Sequence, residues 1–224
     1  MNAKELINNK LNPLYLNMQV GEALEELNLS GLAHLPIVAD LKVLGIASAE
    51  NLAILPQDNL LNNHLENDKT TRVYEDIHVF ELLKFFGQSE STSLAVVDRE
   101  DNFVGIIGLT DLIFELQNRY TYLQKEPGEG GILTLLMEWN DFKLTEIAHI
   151  AESNDSKILA LYVSQPEAGN SKIEVALQFD RSDIRNILAS FERFKYQVHA
   201  SHISEEDWQL MQQRYNALMK YLSM

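Results

Sequence analysis

The chain has 224 residues, 46% of them apolar, which is enough to build real cores and excludes a disordered polymer. Its 33 acidic against 18 basic residues leave a formal net charge of -15, which repels phosphate backbones and anionic lipid and argues against nucleic-acid and membrane partners. Zero cysteines exclude disulfides, thiol nucleophiles and thiolate metal sites. The opening MNAKELINNKLNPLYL has no apolar run of signal-peptide length, and no stretch reaches the roughly 18 apolar residues of a membrane span, so the expected location is the cytoplasm.

In chain order, Met18 to Leu27 (MQVGEALEEL) carries apolar residues at helical spacing, and so does Ile77 to Phe86 (IHVFELLKFF). Val20, Leu24 and Leu27 fall on Val79, Leu83 and Phe86. At the same offset the β-rich run Leu35 to Val38 falls on Leu94 to Val97, and both read as buried strands. One extra residue in the turn Asp98 to Asn102, against Ala39 to Lys42, then brings Gly45 onto Gly105 and Leu52 onto Leu112. Each copy therefore reads as a short β-α-β-β-α piece. Neither could bury its helix faces alone, so the two are expected to pack as one domain.

The glycine-led junctions VLGIASAENL, from Val43 to Leu52, and FVGIIGLTDL, from Phe103 to Leu112, stand where a strand feeds a helix. Together with the LPIV and LAVV strands they give the first 123 residues a layout that resembles a tandem pair of cystathionine-β-synthase (CBS) domains. Repeat one would span about 1–63 and repeat two about 64–123. In that family the junction runs glycine, two apolar residues, Ser or Thr, two further residues, then Asp; the hydroxyl and helix N-terminus receive phosphate, and the carboxylate accepts from ribose hydroxyls. The first junction keeps Ser48 and has Asn51 at the carboxylate position; the second keeps Asp111 and has Gly108 at the hydroxyl position, with Thr110 as a substitute hydroxyl.

The resemblance thus implies a nucleotide-binding set of Asp111, Thr110, Gly108, Thr71, Arg72, Val96, Ser48 and Asn51. Asp111 would take the ribose hydroxyls, Gly108 would leave its backbone N–H open to phosphate, and Arg72, in the basic stretch Lys69 to Arg72, would meet a phosphate. Ser48 and the pair Thr110–Asp111 are also good helix caps, which explains them without a ligand. The implied ligand is AMP, ADP, ATP or another adenosyl compound; no resident cofactor or metal is expected.

From Gln124 the pattern breaks at QKEPGEG, and residues 124–130 read as a linker; no Gly-Lys-Ser/Thr follows to make a phosphate loop. Beyond it, Gly131 to Met137 reads as a strand. Lys143 to Ser153 reads as a helix with Leu144, Ile147, Ala148 and Ala151 inward. Lys157 to Ser164 and Lys172 to Phe179 form a hairpin joined through Gln165 to Asn170. Asp183 to Phe194 is a second helix with Ile184, Ile187, Leu188 and Phe191 inward, and Tyr196 to Ala200 a last strand. The order βαββαβ predicts one sheet with two helices on one face. Residues 131–200 resemble an ACT domain, a small module that often binds amino acids through the loop after its first strand, here Glu138 to Phe142. Asn140 and Asp141 are the candidate contacts there, or simply helix caps.

The overall fold class is therefore α+β: a tandem CBS pair, a ferredoxin-like ACT-like domain, and a C-terminal helix within 201–224. In that helix Trp208, Met211, Tyr215, Leu218 and Leu222 form an apolar seam. The combination resembles the acetoin-utilisation regulatory proteins. It implies a non-enzymatic regulator that senses an adenine nucleotide, forms a homodimer and acts on an unidentified protein. The alternative is an interaction scaffold whose nucleotide sites have lapsed. Glu146-x-x-His149 lacks the second motif that a di-iron site needs, and neither His-Glu-x-x-His nor Gly-x-Ser-x-Gly occurs.

Overall fold

The computed structural model of the chain describes residues 1–63, 72–120, 131–164 and 171–201. It divides into two compact units, Met1–Thr121 and Tyr122–Met224. Thr71, the linker at 124–130, the hairpin connection at 165–170 and the C-terminal seam lie outside the described residues. Among the described residues no helix is long and apolar enough to cross a membrane.

The first unit contains the repeat written twice. Strand β1 (Leu14–Tyr15), helix α1 (Val20–Ser30), strands β2 (His34–Ala39) and β3 (Lys42–Ser48) and helix α2 (Ala49–Ala53) make the first copy. Strand β4 (Arg72–Tyr74), helix α3 (Val79–Ser89), strands β5 (Ser93–Val97) and β6 (Phe103–Gly108) and helix α4 (Leu109–Tyr120) make the second. Each copy forms a three-stranded sheet, β1-β2-β3 or β4-β5-β6, with its first strand parallel to the second and the last two antiparallel. The repeat extends to register. Ile37 faces Gly45 and Val96 faces Gly105, and a bulge follows at the same place in each copy. The β2–β3 turn places both Asp40 and Leu41 at positive φ, the geometry whose twist suits a two-residue hairpin loop.

The helices bury a slightly different stripe from the one their periodicity suggests. Val20, Ala23 and Leu27 are buried on α1, and Val79, Leu82 and Phe86 on α3, whereas Leu83 is 45% exposed. The spacing i, i+3, i+7 is identical in the two copies, so Leu24 and Leu83 sit on the flank of the buried stripe.

One feature of the packing crosses the copies. The N-terminal arm, with a 3-10 turn at Ala3–Leu6, packs against the second repeat: Ala3 N–H donates to Ile77 O, Lys4 N–H to Glu75 O and Asn8 N–H to Ile106 O. Ala3 and Leu6 lie in one core with Val73, Val79, Leu82, Leu94, Val96, Ile107 and Leu112. In return Ile106 of β6 is buried in the core of the first repeat, beside Leu35, Ile37 and Leu52. Neighbouring residues of one strand thus serve two cores, as the alternation of side chains across a strand requires.

The second unit forms β7 (Ile132–Glu138), α5 (Leu144–Glu152), β8 (Ile158–Val163), β9 (Lys172–Phe179), α6 (Arg185–Arg193) and β10 (Gln197–Ser201). The sheet runs β10-β7-β9-β8 and is antiparallel throughout, which is the ferredoxin-like arrangement of a βαββαβ chain. Leu133, Leu135 and Met137 of β7 and Ile173, Val175, Leu177 and Phe179 of β9 share one face with residues of both helices. The expected inward residues of α6, Ile187, Leu188 and Phe191, are buried, with Ile184 just ahead of them. On α5 the expectation needs correction: Ile147, Ile150 and Ala151 are buried, while Leu144 is 55% exposed. Leu144 opens the helix, and a helical Cα–Cβ bond tilts toward the N-terminus, so its side chain projects back off the end of the packed stripe.

Candidate functional site

The two strand-to-helix junctions occupy equivalent places. Leu109 N–H donates to Thr92 O at 2.9 Å, and Ala49 N–H donates to Ala33 O at 2.8 Å, so each helix start is tied to the residue just before the central strand of its own sheet. The copies also bind each other here. Thr92 Oγ1 accepts from Ala33 N–H and His34 N–H, both at 3.0 Å, and Ser93 Oγ donates to His34 O at 2.8 Å. Thr92 N–H in turn points to His34 Nδ1 at 3.3 Å. Burial holds His34 below the ordinary imidazole pKa of 6.5, so the neutral ring that can accept this bond is favoured.

The helices are capped by opposite halves of one motif. A capping box pairs an N-cap side chain with the N–H three residues on, and that third residue's side chain with the N-cap N–H. The first repeat keeps the forward half: Ser48 Oγ accepts from Asn51 N–H at 3.1 Å. The second keeps the reverse half: Asp111 Oδ2 accepts from Gly108 N–H at 3.2 Å. The hydroxyl and the carboxylate that the sequence pattern wants together are thus divided between the copies, each explained locally as a cap.

Asp111 has a second partner that the sequence did not signal. Asn8, on the N-terminal arm, donates through Nδ2 to both carboxylate oxygens, at 3.0 Å to Oδ1 and 3.1 Å to Oδ2. The bonds are part-buried and join residues far apart in the chain, so no local spacing could have revealed them. Asp111 Oδ2 lies close over Gly108, 2.9 Å from where a Cβ would stand, so a side chain here would require the carboxylate to shift. Gly105, the leading glycine of the junction, lies flush against Ile7 of the same arm.

The remaining candidates fall as follows. Gly108 N–H, expected to face a phosphate, is given to Asp111. Arg72, expected to meet a phosphate, pairs with Asp101 at 2.9 Å, and both side chains stay partly exposed. Thr110 is exposed on the first turn of α4, and Asn51 is exposed on α2. Val96 is wholly buried in the core of the second repeat, on the central strand between Val73 of β4 and Gly105 of β6, so its side chain is packing. Asp111, Gly108, Thr110 and the arm residue Asn8 form the cluster at the head of α4; Val96 and Arg72 lie on the neighbouring strands β5 and β4.

The second unit has a cleft of about 390 Å³ at the end of β7 where the ACT-like resemblance places a ligand loop. Glu138, Asp141, Lys143, Glu146, Lys172 and Tyr196 line it, while Asn140 sits in the 3-10 turn Trp139–Asp141 beside it. Desolvation first, then the Glu146 carboxylate, pushes the Tyr196 phenol up to about 12. Among the described residues no group of three or more His, Asp or Glu side chains is placed to hold a metal ion.

Residues 66–118, the body of the second repeat, match the family model of the CBS domain. Among solved structures, the chain is similar to a CBS domain pair/ACT domain protein from Thermotoga maritima, with 19% identity and a TM-score of 0.48 over 53% of this chain and 98% of that one. It is similar to the cytosolic domain of the Mg2+ channel MgtE in complex with ATP, with 21% identity and a TM-score of 0.45 over 51% of this chain and 48% of that one. A third is the CBS domain of a bacterial CNNM/CorC family Mg2+ transporter in complex with ATP, at 16% identity and a TM-score of 0.43 over 52% of this chain and 87% of that one.

Proposed function

We propose that the first unit is a regulatory sensor of an adenine nucleotide, with Asp111 as its ribose-binding group. The observation that carries this reading is the placement of the carboxylate. Asp111 stands part-buried at the head of the 12-residue helix α4, held by Gly108 N–H, on a repeat that matches the CBS domain. A carboxylate offers about four lone-pair sites, which suits the two hydroxyls of a ribose, and the helix N-terminus favours the phosphate's negative charge. Occupation of this junction would bear on the arm and, through Thr92 and His34, on the contact between the copies, which changes the surface offered to a regulated protein.

AMP, ADP and ATP are the compounds to test. Calorimetry with each, on the full chain and on Asp111→Ala, should give heat only with the native carboxylate; no heat with any nucleotide, or equal binding by the variant, removes the assignment. The scaffold reading predicts a stable homodimer with no nucleotide-dependent shift in Tm.

The second unit supplies dimerisation or a second signal in the manner of an ACT domain, and the whole chain then resembles the acetoin-utilisation regulators in design. The cleft beside Asp141 and Lys143 favours a small zwitterion such as an amino acid, because cationic and anionic side chains face it together. A screen of the free amino acids by thermal shift tests this independently of the nucleotide.

A further inference from the structure

We propose that Asn8 is a latch on Asp111: its side-chain amide occupies the carboxylate along the approach that a ribose diol must use, and nucleotide binding requires the amide to leave. The proposal rests on the nucleotide reading of Asp111 given above.

Three observations carry it. First, Nδ2 of Asn8 spans the carboxylate, donating to Oδ1 at 3.0 Å and Oδ2 at 3.1 Å, so it blocks the fork of the two oxygens rather than one edge. A vicinal diol binds a carboxylate across that same fork, one hydroxyl to each oxygen. Second, the amide is fixed from behind. Asn8 Oδ1 accepts from Lys10 N–H at 3.0 Å, and Asn8 N–H donates to Ile106 O at 2.9 Å, so the side chain is preorganised as a donor to Asp111. Third, the arm does not depend on this contact. Ala3 and Leu6 are buried in the core of the second repeat, and Ala3 and Lys4 N–H pair with Ile77 and Glu75 carbonyls. The Asn8 amide can therefore rotate away while the arm stays seated. The latch is a competitor for the site, not a support for the fold.

Removing the amide spares the nucleotide the work of breaking a charge-assisted contact, so Asn8→Ala should bind AMP about tenfold more tightly than the native chain. The comparison uses calorimetry on the full chain with AMP and with 2′,3′-dideoxy-AMP, which has no diol. The gain should appear with AMP, be absent with the dideoxy compound, and vanish when Asn8→Ala is made in an Asp111→Ala background. AMP binding by the native chain that is unchanged or weakened in Asn8→Ala overturns the latch and leaves the nucleotide reading standing; an equal gain with the dideoxy compound does the same. Failure of every variant to bind AMP overturns both. A thermal melt of Asn8→Ala close to the native curve verifies that the arm remains seated, and a collapse of that melt would contradict the independence of the arm.

Discussion

Gly105→Ala probes the seating of the N-terminal arm on the second repeat. The glycine is buried in β6, and a Cβ built on it would lie 3.2 Å from Ile7 Cγ1 and Cδ1 and nearer still to Cγ2. Ile7 cannot retreat freely, because the backbone N–H of the residue after it is tied to Ile106 O. Overpacking of this kind costs about 1–3 kcal/mol, offset by about 0.4–1 kcal/mol from the lower entropy of an unfolded chain with alanine. The net loss of about 1–2 kcal/mol should lower Tm by roughly 3–10 °C. Urea unfolding of the native chain, Gly105→Ala, Ile7→Ala and the double variant supplies the cycle. The double variant should be less destabilised than the sum of the singles by at least about 0.5 kcal/mol, because truncating Ile7 makes room for the new methyl group. Gly105→Ala as stable as the native chain, or strictly additive losses, would refute the packing of Ile7 on Gly105 and with it the route by which the arm reaches Asp111.

Thr92→Val removes the oxygen that accepts from both Ala33 and His34 N–H, and should cost about 1–3 kcal/mol by urea unfolding; a neutral outcome would contradict the cross-repeat bonding. His34 has a folded-state pKa below its unfolded value of 6.5, so the unfolded state binds more protons there and stability should fall as pH drops from about 6.5; an NMR titration of the ring at or above the ordinary value would contradict this. Phe191→Ala empties a fully buried site that meets Tyr196 edge-on, and should cost about 3–5 kcal/mol by chemical denaturation. With Tyr196 held near 12 in the folded chain against about 10 unfolded, the folded state keeps its proton longer, so stability should decline between about pH 10 and 12; Tyr196→Phe should make that decline shallower, and an unchanged slope would contradict the assignment.

The parts of the fold legible in the sequence are those fixed by local pattern. The paired runs LPIV and LAVV became β2 and β5, and the offset that matched Gly45 with Gly105 reappears as the same register against Ile37 and Val96. The βαββαβ order in the second unit was sufficient to imply its sheet, because one such chain with both helices on one face has few ways to pair its strands. What pattern could not supply is long-range partnership. The arm MNAKELIN has the composition of an N-terminal tail, yet Ala3 and Leu6 complete a core whose other members begin at Val73. Asn8 meets Asp111 only because that arm crosses to β6. Gly108 shows a nearer limit of the same kind: its place at the helix start was legible, but not that Asp111, three residues on, turns back to accept from its N–H. Spacing likewise gave the period of α5 correctly but not its phase, since Leu144 and Ile150 are equally apolar and only the sheet beneath distinguishes them.

The claim that Asp111 anchors an adenine nucleotide is met most directly by native mass spectrometry of the full chain titrated with AMP, ADP and ATP, beside Asp111→Ala prepared in the same way. The account predicts an added mass of one nucleotide per site on the native chain, absent or strongly reduced on the variant. Equal occupancy of the two proteins, or none on either at millimolar nucleotide, would contradict it.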